Sequence, residues 1–187
     1  METKHLTIRY ILTCLILSFV INNHTTSAQS VLGVPFGTSI EEAKSILENR
    51  FGSYKVYKHQ GGLLVHDVYV EDVEFYSIQF YFQYGNGKSY FNKAILQQHF
   101  KISDVKTAKA ERDYLASILK KKYSPFFVEY TNEQGFKCYG FDSNPKEPLH
   151  YSGSLILEKS EGNDGVKRLY LMLFYDPISF IDVTTDF

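Results

Sequence analysis

Cysteine, proline, methionine and tryptophan are all scarce in this chain of 187 residues, which has two, five, two and none of them respectively. Cys14 lies in an N-terminal stretch that we expect to be removed, so that Cys138 alone remains and an intramolecular disulfide is excluded. Cys138 lies between aromatic residues, where a buried, inert thiol is expected. The domain must then be stabilised by apolar burial, which about 159 residues can supply.

An excess of charge of either sign is also lacking. Removal of residues 1–28, which carry Lys4, Arg9 and Glu2, leaves 18 basic and 20 acidic residues and a formal charge of −2. Binding of nucleic acid or of an anionic membrane requires a concentrated basic face. Neither is therefore expected as a partner. The dense basic run at residues 120–122 is predicted to end a helix, where cations offset the helix dipole.

The chain also lacks an apolar run long enough to span a bilayer. Residues 11–21 are mostly apolar, but a spanning helix takes about 20 residues. Basic residues precede this run and small residues follow it, which is the order that signal peptidase recognises. We expect residues 1–28 to be a signal peptide cleaved after Ala28, so that the mature protein is periplasmic or secreted. Lipidation at Cys14 is less consistent with the sequence, because the apolar run continues past it.

Two stretches have the periodicity of amphipathic helices. The first covers about residues 40–51; Ser39 and Glu42 form a capping box at its start, and Gly52 is suited to end it. The second covers about residues 105–122 and is ended by a Ser-Pro pair.

The remaining segments have the composition and turn signals of strands, and residues 142–148, with two prolines, are predicted to be a loop. The predicted strands are residues 54–60, 63–70, 73–84, 89–101, 126–131, 136–141, 151–159 and 166–175. Alternation in residues 73–84 places Tyr76, Ile78, Phe80, Phe82 and Tyr84 on one face and Ser77, Gln79, Tyr81 and Gln83 on the other.

These elements predict an α+β fold in which two helix-plus-antiparallel-hairpin units share one antiparallel sheet, with the helices on one face. The units are similar halves, about residues 31–101 and 102–176, of a single domain that covers residues 29–187.

The opening of the mature chain, residues 33–43, has the pattern G-x-P-F-G-x-S followed by an acidic helix and then Phe51-Gly52. This pattern resembles the start of small exported proteins of unknown function from Gram-negative bacteria. The order of elements is similar to the β-lactamase-inhibitor-protein-like architecture, whose members present a sheet face to another protein. The resemblance implies a binding or assembly role; this chain lacks the lipidation motif and the disulfides found in that group.

Catalytic and metal-binding motifs are weak. His66 and Asp67 lie near Glu71, Asp72 and Glu74, and a histidine with several carboxylates can serve a hydrolase or a metal ion. The spacing matches no ligand pattern, and alternation in a strand puts His66 and Asp67 on opposite faces. A solvated turn is the favoured interpretation, so no catalytic residue, metal or cofactor is predicted.

Aromatic residues are the one excess, with 15 tyrosines and 15 phenylalanines. Most belong to the core, but some tyrosines lie beside lysines or alternate with glutamines. The candidate binding residues are Tyr54, Tyr57, Gln79, Tyr81 and Gln83. An exposed tyrosine offers contact area and a hydrogen-bonding tip to a protein or a glycan; the alternative is that these side chains only stabilise cross-strand pairs.

Three functions therefore stay open. The first is an exported, non-enzymatic binding or assembly module that presents a tyrosine-rich sheet face to a protein or glycan partner of the envelope or extracellular space. The second is a small secreted hydrolase that gathers His66 or His150 with carboxylates distant in sequence. The third is an envelope component that self-associates through a sheet edge.

Overall fold

The structure is a computed structural model that describes residues 30–70, 72–85, 87–124, 127–144 and 147–176, with the side chains of residues 142–152 outside the description. The described residues from Val31 onwards belong to one compact unit. The expected signal peptide, its cleavage site after Ala28 and Cys14 lie outside the described residues.

Both predicted helices are confirmed. Helix α1 is Ile40–Phe51; the Ser39 hydroxyl accepts a hydrogen bond from the Glu42 N–H at 3.3 Å, and Gly52 ends the helix with φ of 92°. That positive φ is one that glycine adopts without strain. Helix α2 is Val105–Tyr123, and its last turn carries the three consecutive lysines.

The strands lie close to their predicted bounds, and a two-strand sheet precedes them. They are β1 (Ser30–Val31), β2 (Val34–Pro35), β3 (Val56–His59), β4 (Gly62–Val70), β5 (Val73–Gly85), β6 (Lys88–Lys101), β7 (Phe127–Thr131), β8 (Lys137–Asn144), β9 (Glu147–Glu161) and β10 (Lys167–Tyr175). The predicted loop at residues 142–148 is wrong, because β8 and β9 extend into it and Asn144 pairs with Glu147.

The coarse prediction of an α+β protein with an antiparallel sheet is confirmed, but the prediction of two helix-plus-hairpin units is wrong. The eight strands form one sheet in the order β3-β4-β5-β6-β10-β9-β8-β7, and β1 and β2 form a separate small sheet. Each inner strand is hydrogen-bonded to a neighbouring strand on both sides, so the hairpins do not form separate units. The centre is the antiparallel pairing of β6 with β10, in which Leu96 lies opposite Leu173.

One face of this sheet carries the core, and we call it the core face. It includes five directly opposite residues on adjacent strands, namely Val65, Ile78, Leu96, Leu173 and Leu155, all buried. Ala43 and Leu47 of α1 and Ala108 and Leu119 of α2 belong to the same apolar cluster. Burial of a Leu or Ile side chain contributes roughly 1.5–3 kcal/mol, so this shared cluster is the main stabilising feature.

The alternation in β5 breaks near its start, and the predicted placement of Tyr76 beside Ile78 and Phe80 on a buried face is wrong. Phe75 is 2% exposed and Tyr76 is 48% exposed, whereas Ile78 is fully buried. Opposite this point, Asp67 of β4 has a positive φ of 48°. Both strands therefore change the face that they bury, and Tyr76 turns outwards.

Gly153 of β9 lies opposite Phe141 of β8 and leaves space for its ring. A Cβ at Gly153 would lie 2.1 Å from Cε2 of Phe141 and 2.9 Å from the main-chain oxygen of Phe174. Because Gly153 has no Cβ, the Phe141 ring can stack on Tyr123 of α2, with ring centroids 4.7 Å apart. The same ring meets Tyr175 edge-on, with centroids 5.6 Å apart. A glycine here therefore positions the aromatic contact between α2 and the sheet.

We expect Gly153→Ala to lower the free energy of unfolding by about 1–3 kcal/mol, because the added methyl group overpacks this contact. Urea unfolding followed by circular dichroism measures the change. Gly85→Ala is the matched control, since a Cβ there meets nothing within 4 Å and its φ is not positive. Equal unfolding midpoints for the two variants would contradict this account of Gly153.

Candidate functional site

The face of the sheet opposite the core carries most of the predicted binding residues, and we call it the open face. Tyr57 of β3 lies directly opposite Leu64 of β4, and Leu64 lies directly opposite Gln79 of β5. Directly opposite residues of an antiparallel pair share a face. Each of the three lies next to a buried residue of its own strand, namely Val56, Val65 or Ile78, so all three belong to the other side of the sheet.

A row of four rings, which we call the aromatic row, crosses β3 to β6. Tyr57 and His66 have centroids 6.0 Å apart, His66 and Tyr76 5.8 Å, and Tyr76 and His99 4.4 Å. The ring planes meet at 59° to 69°, which are the tilted and edge arrangements that aromatic quadrupoles favour. Tyr57 is 51% exposed, so the row stabilises the sheet and still offers apolar surface to a partner.

The remaining predicted residues differ in their relation to this row. Tyr81 is exposed and its hydroxyl donates to Oε1 of Gln79, which joins these two predicted residues on β5. Tyr54 precedes β3 in a 3₁₀ turn; its carbonyl accepts the hydroxyl of Tyr57 at 2.5 Å. Gln83 is exposed beyond the register irregularity at Tyr81/Phe82. The structure therefore brings Tyr57, Gln79 and Tyr81 to one surface.

Sequence reasoning missed both Tyr76 and His99 as members of this row. Strict alternation assigned Tyr76 to the face of Phe80, and only the coordinates show the change of face near Asp67. The pairing of Ser77 with Gln97 brings β6 beside β5 and places His99 against Tyr76. The sequence did contain one indication that alternation is interrupted here, because two aromatic residues, Phe75 and Tyr76, are consecutive.

Among the described residues, the ring and polar contacts of His66 are with tyrosines. Its ring contacts Tyr57 and Tyr76, and its Nδ1 lies 3.4 Å from the main-chain oxygen of Tyr76. Glu71 and the side chain of His150 lie outside the described residues. Within the described part of the chain, no group of three or more His, Cys, Asp or Glu side chains is arranged to hold a metal ion.

Several of the acidic residues noted in the sequence line a cleft of about 450 Å³ instead. Asp67, Asp72 and Glu74 come from β4, β5 and the turn between them, and Glu111 comes from α2. Tyr76 and His99 of the aromatic row also line this cleft, as do Tyr69, Gln98 and Phe100. The cleft therefore adjoins the aromatic row but differs from it in charge.

Two tyrosine hydroxyls hold carboxylates of the cleft in place. Tyr114 of α2 donates to Oδ2 of Asp72 at 2.6 Å. Tyr69 lies directly opposite Glu74, and its hydroxyl hydrogen-bonds to the Glu74 carboxylate. This hydrogen bond and the negative charge of Glu74 both raise the pKa of the Tyr69 hydroxyl. The hydroxyl stays protonated at neutral pH and remains a donor.

Comparisons with protein-family models, with curated proteins and with solved structures each found no match. The resemblance of residues 33–43 to small exported proteins therefore stays a prediction from the sequence. Among the described residues, neither helix combines the length and the apolar character needed to cross a membrane.

The expectation that Cys138 is a buried thiol is confirmed. Its side chain is 0% exposed, its Sγ lies 3.7 Å from the main-chain oxygen of Phe136, and burial raises its pKa. A thiol protonated at neutral pH is a poor nucleophile. The arrangement is structural, because a side chain with no exposed surface offers no contact to a partner.

We expect a thiol-reactive reagent to modify Cys138 far more slowly in the native protein than in urea, as measured by mass spectrometry of the peptide that contains it. Rapid labelling of the native protein would contradict this assignment.

Because the folded-state pKa of the Cys138 thiol is raised, the stabilisation from the neutral thiol is present below the unfolded pKa of about 8.5 and is lost as pH rises above it. The free energy of unfolding of Cys138→Ala should therefore fall less than that of the parent protein as the pH rises from about 8.5 to 10. Urea unfolding at each pH measures the difference, and parallel pH profiles would contradict the raised pKa.

Proposed function

We propose that this protein is an exported, non-enzymatic binding module whose open face docks onto another protein. The observation that carries the proposal is the aromatic row, in which Tyr57 and Tyr76 remain about half exposed although Val56, Phe75 and Ser77 beside them are buried. Aromatic side chains, above all Tyr and Trp, are enriched in protein interfaces because they supply a large area at little entropic cost.

The dimensions of the sheet support an interface of standard size. Eight strands at a spacing of ~4.8 Å give a sheet ~34 Å wide. A stable interface takes about 800 Å² from each partner, which a face of this width can supply. The partly buried Ile95 of β6 and Phe174 of β10 lie directly opposite each other and, through Gln79, continue the surface that begins at Tyr57.

The geometry favours a protein over a glycan. A sugar stacks on the flat face of an aromatic ring, whereas successive rings of the aromatic row are tilted by 59° to 69° and present edges to each other. Gln79 and Tyr81 are joined by a hydrogen bond, and their remaining donor and acceptor capacity suits peptide groups. The same surface thus combines apolar area with polar contacts.

Export is part of the proposal and rests on the basic, apolar and small residues of the first 28 positions. The domain also suits a compartment in which free thiols are oxidised, because Cys138 is buried. These two features support a periplasmic or secreted binding module.

We expect a photo-crosslinking amino acid at position 57 or 81 of the full-length chain to form an adduct with one defined protein in the envelope or culture medium of the producing cell. The same amino acid at position 121, exposed on α2, is the control and should give no such adduct. Mass spectrometry of the adducts identifies the partner. Binding of that partner should weaken at least about tenfold in Tyr57→Ser, because an interface tyrosine is often a hot spot.

Three outcomes would contradict the proposal. Equal adduct yields from positions 57 and 121 would place the contact elsewhere. Adducts with glycan alone would favour a carbohydrate ligand. Adducts with a second copy of this chain, together with a concentration-dependent molecular mass, would favour the self-associating component considered from the sequence.

A further inference from the structure

The acidic cleft contains a buried polar atom whose hydrogen-bonding capacity is unused. Gln98 of β6 is 8% exposed and lines the cleft. Its Nε2 donates to the main-chain oxygen of Glu74 at 2.8 Å and lies 3.4 Å from Oε1 of Glu111. Its Oε1 accepts no hydrogen bond from the described residues. A buried, unsatisfied side-chain acceptor is costly and requires an explanation.

Rotation of the amide does not remove the problem. The carbonyl of Glu74 and the carboxylate of Glu111 are acceptors only, so the NH₂ group of Gln98 must face them. If the amide were flipped, its oxygen would face two other oxygens. The orientation of Gln98 is therefore fixed by its partners, and Oε1 is held where only an additional donor can satisfy it.

The surroundings define the charge of that donor. Four carboxylates, those of Asp67, Asp72, Glu74 and Glu111, line the same cleft. A basic side chain reaches its rim, since Nζ of Lys55 donates to the main-chain oxygen of Asp67 at 2.5 Å. Four negative charges against one positive charge leave the cleft acidic, and a cation with N–H donors complements both the carboxylates and Gln98.

The arrangement suits an organic cation better than a metal ion. The described carboxylates do not converge into a group that could hold a metal. The volume of about 450 Å³ exceeds what a single ion fills, and Tyr69 and Tyr76 supply exposed rings against which a cation is attracted. A side chain or small molecule with an apolar stem and a cationic head matches these dimensions.

We propose that this cleft binds an alkylammonium or guanidinium group, with the carboxylates of Glu74 and Glu111 neutralising its charge and Oε1 of Gln98 accepting one of its N–H hydrogen bonds. The proposal goes beyond the docking of a protein on the open face. It uses acidic residues outside the aromatic row, and it is tested with small probes that require no partner protein. Failure of either proposal therefore leaves the other standing.

The test titrates the full-length, processed protein with N-acetyl-lysine methylamide and with its trimethylated-ammonium analogue, using two-dimensional NMR and calorimetry. The first probe carries N–H donors, and the second carries the same charge without them. We expect saturable binding of the first below ~10 mM and binding of the second weaker by about tenfold, because only the first can donate to Gln98. Both affinities should fall as salt is added.

Protein variants locate the site. Glu111→Gln and Glu74→Gln should each weaken binding of the lysine probe by about tenfold, because each removes a charge that faces the ligand. Glu133→Gln is the matched control, since Glu133 is exposed in the turn between β7 and β8, away from the cleft lining. Gln98→Met should abolish the preference between the two probes, and circular dichroism checks that it remains folded. If it does not fold, the comparison of Glu111→Gln with Glu133→Gln decides.

Two further probes distinguish the sources of the cation. Tighter binding of spermidine than of a lysine-containing peptide would indicate a free polyamine, and the reverse would indicate a side chain of another protein; both support the proposed chemistry. Absence of saturable binding by either lysine probe or spermidine would overturn it. So would equal affinity for the trimethylated probe, equal weakening in Glu133→Gln, or displacement of the probes by calcium at matched ionic strength.

Discussion

The antiparallel pairing of β6 with β10 is the interaction on which the rest of the structure depends. Residues 94–101 pair with residues 168–175, which are 67 to 81 positions away in the chain, and this pairing satisfies the backbone groups of two long strands that would otherwise be edges. It also aligns Leu96 with Leu173 on the core face, beneath the helices. One continuous core face creates one continuous open face, and this pairing adds Phe174 of β10 to the surface that Gln79 and Ile95 continue from Tyr57.

The break in alternation near Asp67 connects the fold to both proposed sites. In a regular β4–β5 hairpin, strict alternation would bury Tyr76 on the same face as Ile78. The positive φ of Asp67 coincides with a change of face in both strands, so Tyr76 extends the aromatic row while Asp67 lines the acidic cleft. Irregularities of this kind often mark functional positions in sheets, because a regular strand is more stable.

Local signals predicted what depends on neighbours in sequence. The cap at Ser39, the glycine stop at Gly52 and most strand bounds follow from turn chemistry and periodicity. Gln79 follows from alternation, and Tyr57 from its lysine neighbours. The prediction of two helix-plus-hairpin units was wrong because hairpin signals do not show how distant strands pair. The cleft was missed for the same reason, since Gln98 and Glu111 meet Glu74 only after β6 and α2 pack against β5.

The aromatic row and the cleft share Tyr76 and His99, so one ligand can engage both surfaces. The two surfaces contribute differently to recognition. Tilted rings supply apolar area, which provides affinity with little discrimination among partners. The cleft supplies charge and one unsatisfied acceptor, which penalise any ligand that lacks a cationic donor. A basic side chain next to an apolar patch would satisfy the two together, and selectivity would then depend on Gln98 more than on the tyrosines.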